Sequence, residues 1–131
     1  MSKIRFDLKK LQVPASVRMA GRILQTVDTL LHPTTADLIS VDLFARGKEQ
    51  GFTLLLDDRQ ENIQLRVAFA QRYGSPQTVV YYAPAYNMGE FMREVTALIN
   101  KQQSKAKVAF FGSDGLEEAA KFIVDYFDGA L

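Results

Sequence analysis

Ile63-Gln-Leu-Arg-Val-Ala-Phe-Ala-Gln-Arg-Tyr-Gly-Ser-Pro-Gln-Thr-Val-Val-Tyr-Tyr-Ala-Pro84 is the stretch on which the fold turns. Ile63, Leu65, Val67 and Phe69 alternate with Gln64, Arg66, Ala68 and Ala70. A side-chain period of two belongs to a strand with one face on a core. Gly74-Ser-Pro-Gln77 then turns the chain, glycine supplying a positive φ and proline interrupting ladder pairing. Thr78 to Ala83 returns as a β-branched and aromatic run that Pro84 closes. Because this run is apolar on both sides, it is expected inside the sheet. The hairpin is expected at the middle, with helices from both ends of the chain folding onto it.

Outward from that hairpin, Pro14 suits the first turn of a helix, where its missing N–H would have no partner anyway. Val17, Ala20, Leu24, Val27 and Leu31 follow at helical spacing, and Ile23 and Leu30 widen the stripe. The pattern predicts a helix from Pro14 to Leu31, ended by His32 and Pro33. Residues 1–12 read either as an edge strand, since Ile4, Phe6 and Leu8 alternate, or as a loose basic arm. Residues 35–50 also carry two readings. Ile39, Val41, Leu43 and Ala45 alternate as in a strand, whereas Thr34 and Asp37 fit the cap of a short helix. The strand is preferred, because Gly47 to Gly51 then forms a hairpin loop into Phe52–Leu56. Asp57 to Asn62 is the polar turn leading back to Ile63.

After Pro84 the period becomes helical. Asn87, with Glu90 three residues on, predicts an N-cap, and Met88, Phe91, Met92, Val95, Leu98 and Ile99 form one stripe. Lys101 and Lys105 fall near the negative helix end. Lys107 to Gly112 reads as a short strand covered on both faces. Asp114 and Glu117 read as the cap of a last helix, with Leu116, Ala119, Ala120, Ile123 and Phe127 inward. A strand, a helix and a strand in succession imply a crossover, and hence a Val108 strand parallel to Thr78–Ala83. The expected fold class is therefore α+β, a single domain over residues 1–131. Its order is helix, four-strand antiparallel meander, helix, strand, helix, in a mixed sheet covered by helices.

Composition narrows the chemistry. The chain has no cysteine, which excludes disulfides, thiolate metal sites and cysteine nucleophiles. The first residues are basic but lack the apolar run of a signal peptide, and no window approaches the roughly 20 apolar residues that span a bilayer. The expectation is a cytoplasmic protein with no membrane partner. Charge is organised in blocks. Residues 1–27 carry six bases and one acid, 28–62 three bases and seven acids, 63–107 six bases and two acids, and 108–131 one base and five acids. Such blocks either neutralise one another across the fold or form signed patches that steer a charged partner.

No catalytic constellation emerges. His32 is the only histidine and lies at a helix C-terminus, where an imidazolium answers the dipole. No Gly-x-Ser-x-Gly elbow is present, and one histidine without cysteine cannot supply the three protein ligands of a catalytic zinc. No catalytic residue, metal or cofactor is expected. Gly112, Ser113 and Gly115 form the one loop with the look of an anion cradle, a strand end followed by a helix N-terminus. The competing reading of that loop is a tight turn with a capping aspartate. The acidic block from Asp28 to Glu61 would repel a nucleic-acid backbone, so nucleic acid is not an expected partner.

The order of a meander followed by helix, strand and helix is similar to that in the core of acetyl-CoA-dependent N-acyltransferases. That resemblance implies a pyrophosphate loop of Arg/Gln-x-x-Gly-x-Gly/Ala opening the helix after the meander. Here the place reads Pro84-Ala-Tyr-Asn-Met-Gly-Glu90, with one glycine, no leading Arg or Gln, and an acid at the end. The preferred expectation is instead a non-catalytic protein-binding domain that neutralises or regulates a partner, as bacterial immunity proteins do to toxins. Asp57, Asp58 and Glu61 would meet a basic protein surface, with Tyr86 as an anchor. A small-ligand enzyme is the alternative, and a homodimer paired through the Ile4–Leu8 edge is a third reading.

Overall fold

The computed structural model describes residues 4–46, 49–58, 61–72, 75–85, 87–112 and 114–129, with backbone alone for 46, 57–58, 61–63, 70–72 and 75–76. In chain order the elements are α1 (Pro14–Leu30), α2 (Pro33–Ala36), β1 (Ile39–Arg46), β2 (Glu49–Asp58), β3 (Glu61–Arg72), β4 (Ser75–Ala85), α3 (Met88–Ile99), β5 (Lys107–Phe111) and α4 (Leu116–Asp128). The strands form one sheet in the order β1-β2-β3-β4-β5. The class is α+β. The central hairpin is β3–β4, and β4 lies inside the sheet between β3 and β5.

The sheet is entirely antiparallel, which corrects the expected mixed sheet. A parallel β5 would need α3 to carry the chain back along the full length of β4. The chain instead doubles back along α3. Lys101, at φ 57°, closes the helix, with its N–H on the Leu98 carbonyl at 3.1 Å and the Gln102 N–H on the Ala97 carbonyl at 2.8 Å. This paired pattern is the left-handed helix stop described for C-termini. The Ser104 hydroxyl then donates to the Glu94 carbonyl at 2.6 Å, and the Lys105 N–H donates to the Glu94 carboxylate at 2.7 Å. Lys105 Nζ also reaches Glu90 at 4.0 Å. The chain thereby re-enters the sheet at Lys107 opposite Tyr82, the end by which β4 left it. Lys105 serves this return and not the helix dipole.

Two layers of apolar side chains fix the rest. On one face Leu43, Phe52, Leu54, Leu65, Val67 and Val80 meet α1 (Met19, Ile23, Leu24, Val27) and α4 (Ala119, Ala120, Ile123, Phe127). The two helices come from opposite ends of the chain and pack side by side there. On the other face α3 lies over β4, where Phe91 and Val95 close on Ala83, Ala85 and Ala106. Tyr81 and Tyr82 point to opposite faces and join different layers. Tyr82 sits 5.1 Å from both Phe122 and Tyr126 on α4, and Tyr81 packs with the α3 group.

The strands run further than the polar turns suggested. The β1–β2 ladder reaches Arg46↔Glu49, so Gly51 lies within β2 and not in a loop. A Cβ there would fall 1.9 Å from the Val67 carbonyl oxygen, so the close approach of two backbones requires glycine. Pro76 and Pro84 both lie inside β4, opposite Gln71 and Ile63. They bracket Thr78–Tyr82, the only segment that β5 pairs, so neither missing N–H removes a bond to β5. At about 3.3 Å per residue the β3–β4 hairpin is roughly 40 Å long, against roughly 26 Å for α1. The accessible surface is 8061 Å², above the roughly 7,000 Å² expected for this mass.

Residues 4–11 form neither an edge strand nor a loose arm. Leu8–Lys10 is a 3-10 turn, Ile4 and Leu11 are buried, and the Ile4 N–H donates to Asp28 at 2.8 Å. Gln50 Oε1 accepts from the N–H groups of Gln12 and Val13, each at 3.1 Å, and so joins the entry of α1 to β2. Residues 35–50 contain both alternatives in part, α2 ending at Ala36 before β1 begins at Ile39.

Candidate functional site

The antiparallel register decides which of the expected residues can act together. Asp57 pairs with Asn62, Asp58 with Glu61, and Asn62 in turn with Ala85. Three acids therefore occupy adjacent positions at the closed end of the β2–β3 hairpin, next to the end of β4. Tyr86 lies outside the described residues, but its sequence neighbour Ala85 is at this same end. α3 starts here as well. Asn87 Oδ1 accepts from the Glu90 N–H at 2.8 Å, the expected cap, and Met88 beside it is exposed.

The acidic block does not close into one patch: Glu49 and Asp58 stand at opposite ends of β2, with Asp42 of β1 between them. β1 and β2 are neighbours at one margin of the sheet, and they carry Asp42, Glu49, Asp57 and Asp58. Two of these charges are answered locally. Lys10 approaches Asp42 at 3.9 Å across a cavity of about 370 Å³ lined also by Arg5, Phe6, Asp7 and Leu43. Arg66 holds Glu49 at 3.0 Å.

That second pair belongs to a group the sequence reading missed. On the face opposite α1 and α4, Phe44 lies across Gly51, and the Arg66 guanidinium stacks 3.7 Å from the centre of the Phe44 ring. Arg66 keeps only 14% of its side chain exposed. Burial above all, and then the Glu49 carboxylate, pushes the Tyr81 hydroxyl up from its ordinary value, while Arg66 opposes them. The signal was present: Phe44 interrupts the polar face of β1, and the bare Gly51 opposite gives its ring a place to lie.

Gly112 and Gly115 lie at the other end of the sheet, beyond Phe111, and Ser113 is outside the described residues. The Gly115 N–H donates to the Gly112 carbonyl at 3.0 Å, making a tight turn. Gly115 is the N-cap of α4, and no side chain caps that helix, which corrects the expected Asp114 cap. Glu117 and Glu118 in its first turn answer the positive helix end. The acid turn and the glycine turn are thus separated by the length of the sheet.

His32 has a different part from the one expected. Its Nδ1 accepts from the Thr34 N–H at 3.2 Å, so the ring caps the start of α2, not the end of α1. Its own N–H faces Asp128 at 3.3 Å. Among the described residues no group of three or more His, Cys, Asp or Glu side chains comes together to hold a metal. No helix among them is long and apolar enough to cross a membrane. Comparison of the chain with protein-family models, with curated proteins and with solved structures found no match.

Proposed function

We propose that the chain is a non-catalytic protein-binding domain that neutralises or regulates a partner protein in the cytoplasm, in the manner of bacterial toxin-immunity proteins. The observation that carries the reading is the register Asp57↔Asn62, Asp58↔Glu61, Asn62↔Ala85. It brings the backbone positions of three acids to the end of the hairpin where Ala85, the neighbour of Tyr86, also lies. A carboxylate set of this kind fits a basic partner surface, and charges there act mainly on association rate and salt dependence. The stacked Phe44–Arg66 pair and Tyr81 add the residue types that interfaces favour, on the sheet face away from α1 and α4.

The alternative, a small-ligand enzyme, would hold an anion at Gly112, Ser113 and Gly115 or at Asn87–Glu90. Asn87 already accepts from the Glu90 N–H of α3, and Glu90 itself puts a carboxylate in the first turn. Thermal-shift screening with acyl-CoA and nucleotides separates the two readings, because a bound ligand raises the melting temperature by mass action. The direct experiment co-expresses the chain with the products of its flanking genes. A product that stops growth alone but not with the wild-type chain, and that again stops growth with the Asp57→Lys/Asp58→Lys/Glu61→Lys variant, is the expected result. Equal protection by the wild type and the folded variant would overturn the assignment of the acids.

A further inference from the structure

The two margins of the sheet are treated differently. β1 is flanked by the 3-10 turn of residues 8–10, with Lys10 approaching Asp42. β5 has β4 on one side and, among the described residues, no strand on the other. Proteins blunt a free margin with charge, proline or a bulge. The interior of β5, Val108-Ala109-Phe110-Phe111, carries none of these, and Phe110 is 56% exposed.

Charge along this margin is polar in the vectorial sense. Lys105 and Lys107 stand at its start, and Asp114, Glu117 and Glu118 stand just past its end, all of them exposed. The sign change between the third and fourth charge blocks therefore falls across one short strand. Neither Lys107 nor Asp114 makes an ion pair among the described residues. A strand that is basic at one end and acidic at the other is complementary to itself when reversed.

We propose that β5 pairs antiparallel with β5 of a second copy of this chain, joining two five-stranded sheets into one. The symmetry fixes the register. A two-fold axis perpendicular to the sheet keeps the helix-covered faces on the same side, and directly opposed antiparallel residues share a face. Only registers that place a residue opposite itself are then allowed, and centring on Ala109 pairs all of Lys107–Phe111. Val108 meets Phe110 of the second copy twice, a β-branched–aromatic cross-strand pair on the α3 side. Lys107 of each copy lies opposite Phe111 of the other, within reach of the turn that carries Asp114. The surface is distinct from the acidic hairpin end, so the inference stands independently of the partner reading above.

Sedimentation equilibrium of the full chain tests it. A mass near 29 kDa, twice the 14.7 kDa chain, is expected at about 0.1 mM, above the micromolar range of specific contacts. Phe110→Lys should raise the dissociation constant at least tenfold without lowering the melting temperature. Lys107→Asp and Asp114→Lys should each weaken the dimer about three- to tenfold, and the double exchange should restore it. A monomer at about 0.1 mM overturns the proposal. So does a dimer that Phe110→Lys and the single charge changes leave intact, or one that the double exchange fails to restore.

Discussion

Gly51→Ala is the sharpest test of how the strands are held. The added Cβ would sit 1.9 Å from the Val67 carbonyl oxygen, 2.9 Å from its carbon and 3.0 Å from Cζ of Phe44. Ordinary contact begins at 3.4 Å, so β2 and β3 would have to part by about 1.5 Å. Phe44 can rotate, but the carbonyl is backbone in a paired strand and cannot. A ladder bond of about 2.9 Å stretched by that amount is no longer a bond. Losing one or two buried ladder bonds and the Phe44 packing costs about 3 kcal/mol. For a chain of this size that corresponds to a fall in melting temperature of roughly 10–15 °C. Gly89→Ala is the control: its Cβ meets only Asn87 Oδ1, at 3.3 Å, on the exposed first turn of α3. It should not lower the transition by more than about 2 °C, alanine being the better helix former. Thermal unfolding followed by circular dichroism reads both. A Gly51→Ala protein that melts with the wild type would refute the close approach of β2 and β3, and with it the register through Gly51↔Ala68.

Three further outcomes follow from particular contacts. The Lys105 N–H first, and then the Ser104 hydroxyl, hold the Glu94 carboxyl below its ordinary value of 4.5. Its contribution is therefore present above that value and lost as pH falls through the lower folded one. Glu94→Gln should melt below wild type at pH 7 and converge with it near pH 3; a constant gap across that range would contradict the contact. Burial, with a smaller part from Tyr82, pushes the Tyr126 hydroxyl up to about 12. Stability should fall as pH rises from 10 towards 12 and fall less in Tyr126→Phe, measured by urea unfolding at each pH. Gln50→Leu leaves the N–H groups of Gln12 and Val13 without their acceptor and should cost about 1–2 kcal/mol in urea unfolding, with faster hydrogen exchange at residues 12–13.

Much of this architecture is legible in one dimension, because alternation and helical spacing are local. Leu65, Val67 and Phe69 line one face of β3, the Pro14 stripe is α1, and Asn87 caps α3 through Glu90. What failed was non-local. The direction of β5 depends on the Glu94 carboxylate catching the backbone of Lys105 eleven residues later, which no periodicity announces. The polar turns look wider in sequence than they are, because Gly51, Pro76 and Pro84 resemble breakers until their neighbours across the sheet are known. The site divides in the same way. The acids at 57, 58 and 61 could be singled out as a run, but their placement beside Ala85 comes from pairing. The stack of Arg66 on Phe44 arises from two strands that are not sequence neighbours, with Gly51 between them.

The claim at the centre is that the closed end of the β2–β3 hairpin meets a basic protein through its carboxylates. Isothermal titration of the flanking-gene product that the wild-type chain protects against, at low and at high salt, tests it most directly. The wild-type affinity should fall with salt, and Asp57→Lys/Asp58→Lys/Glu61→Lys, melting as the wild type does, should bind more weakly with a flatter salt dependence. Equal affinity and equal salt dependence for the two proteins would contradict it.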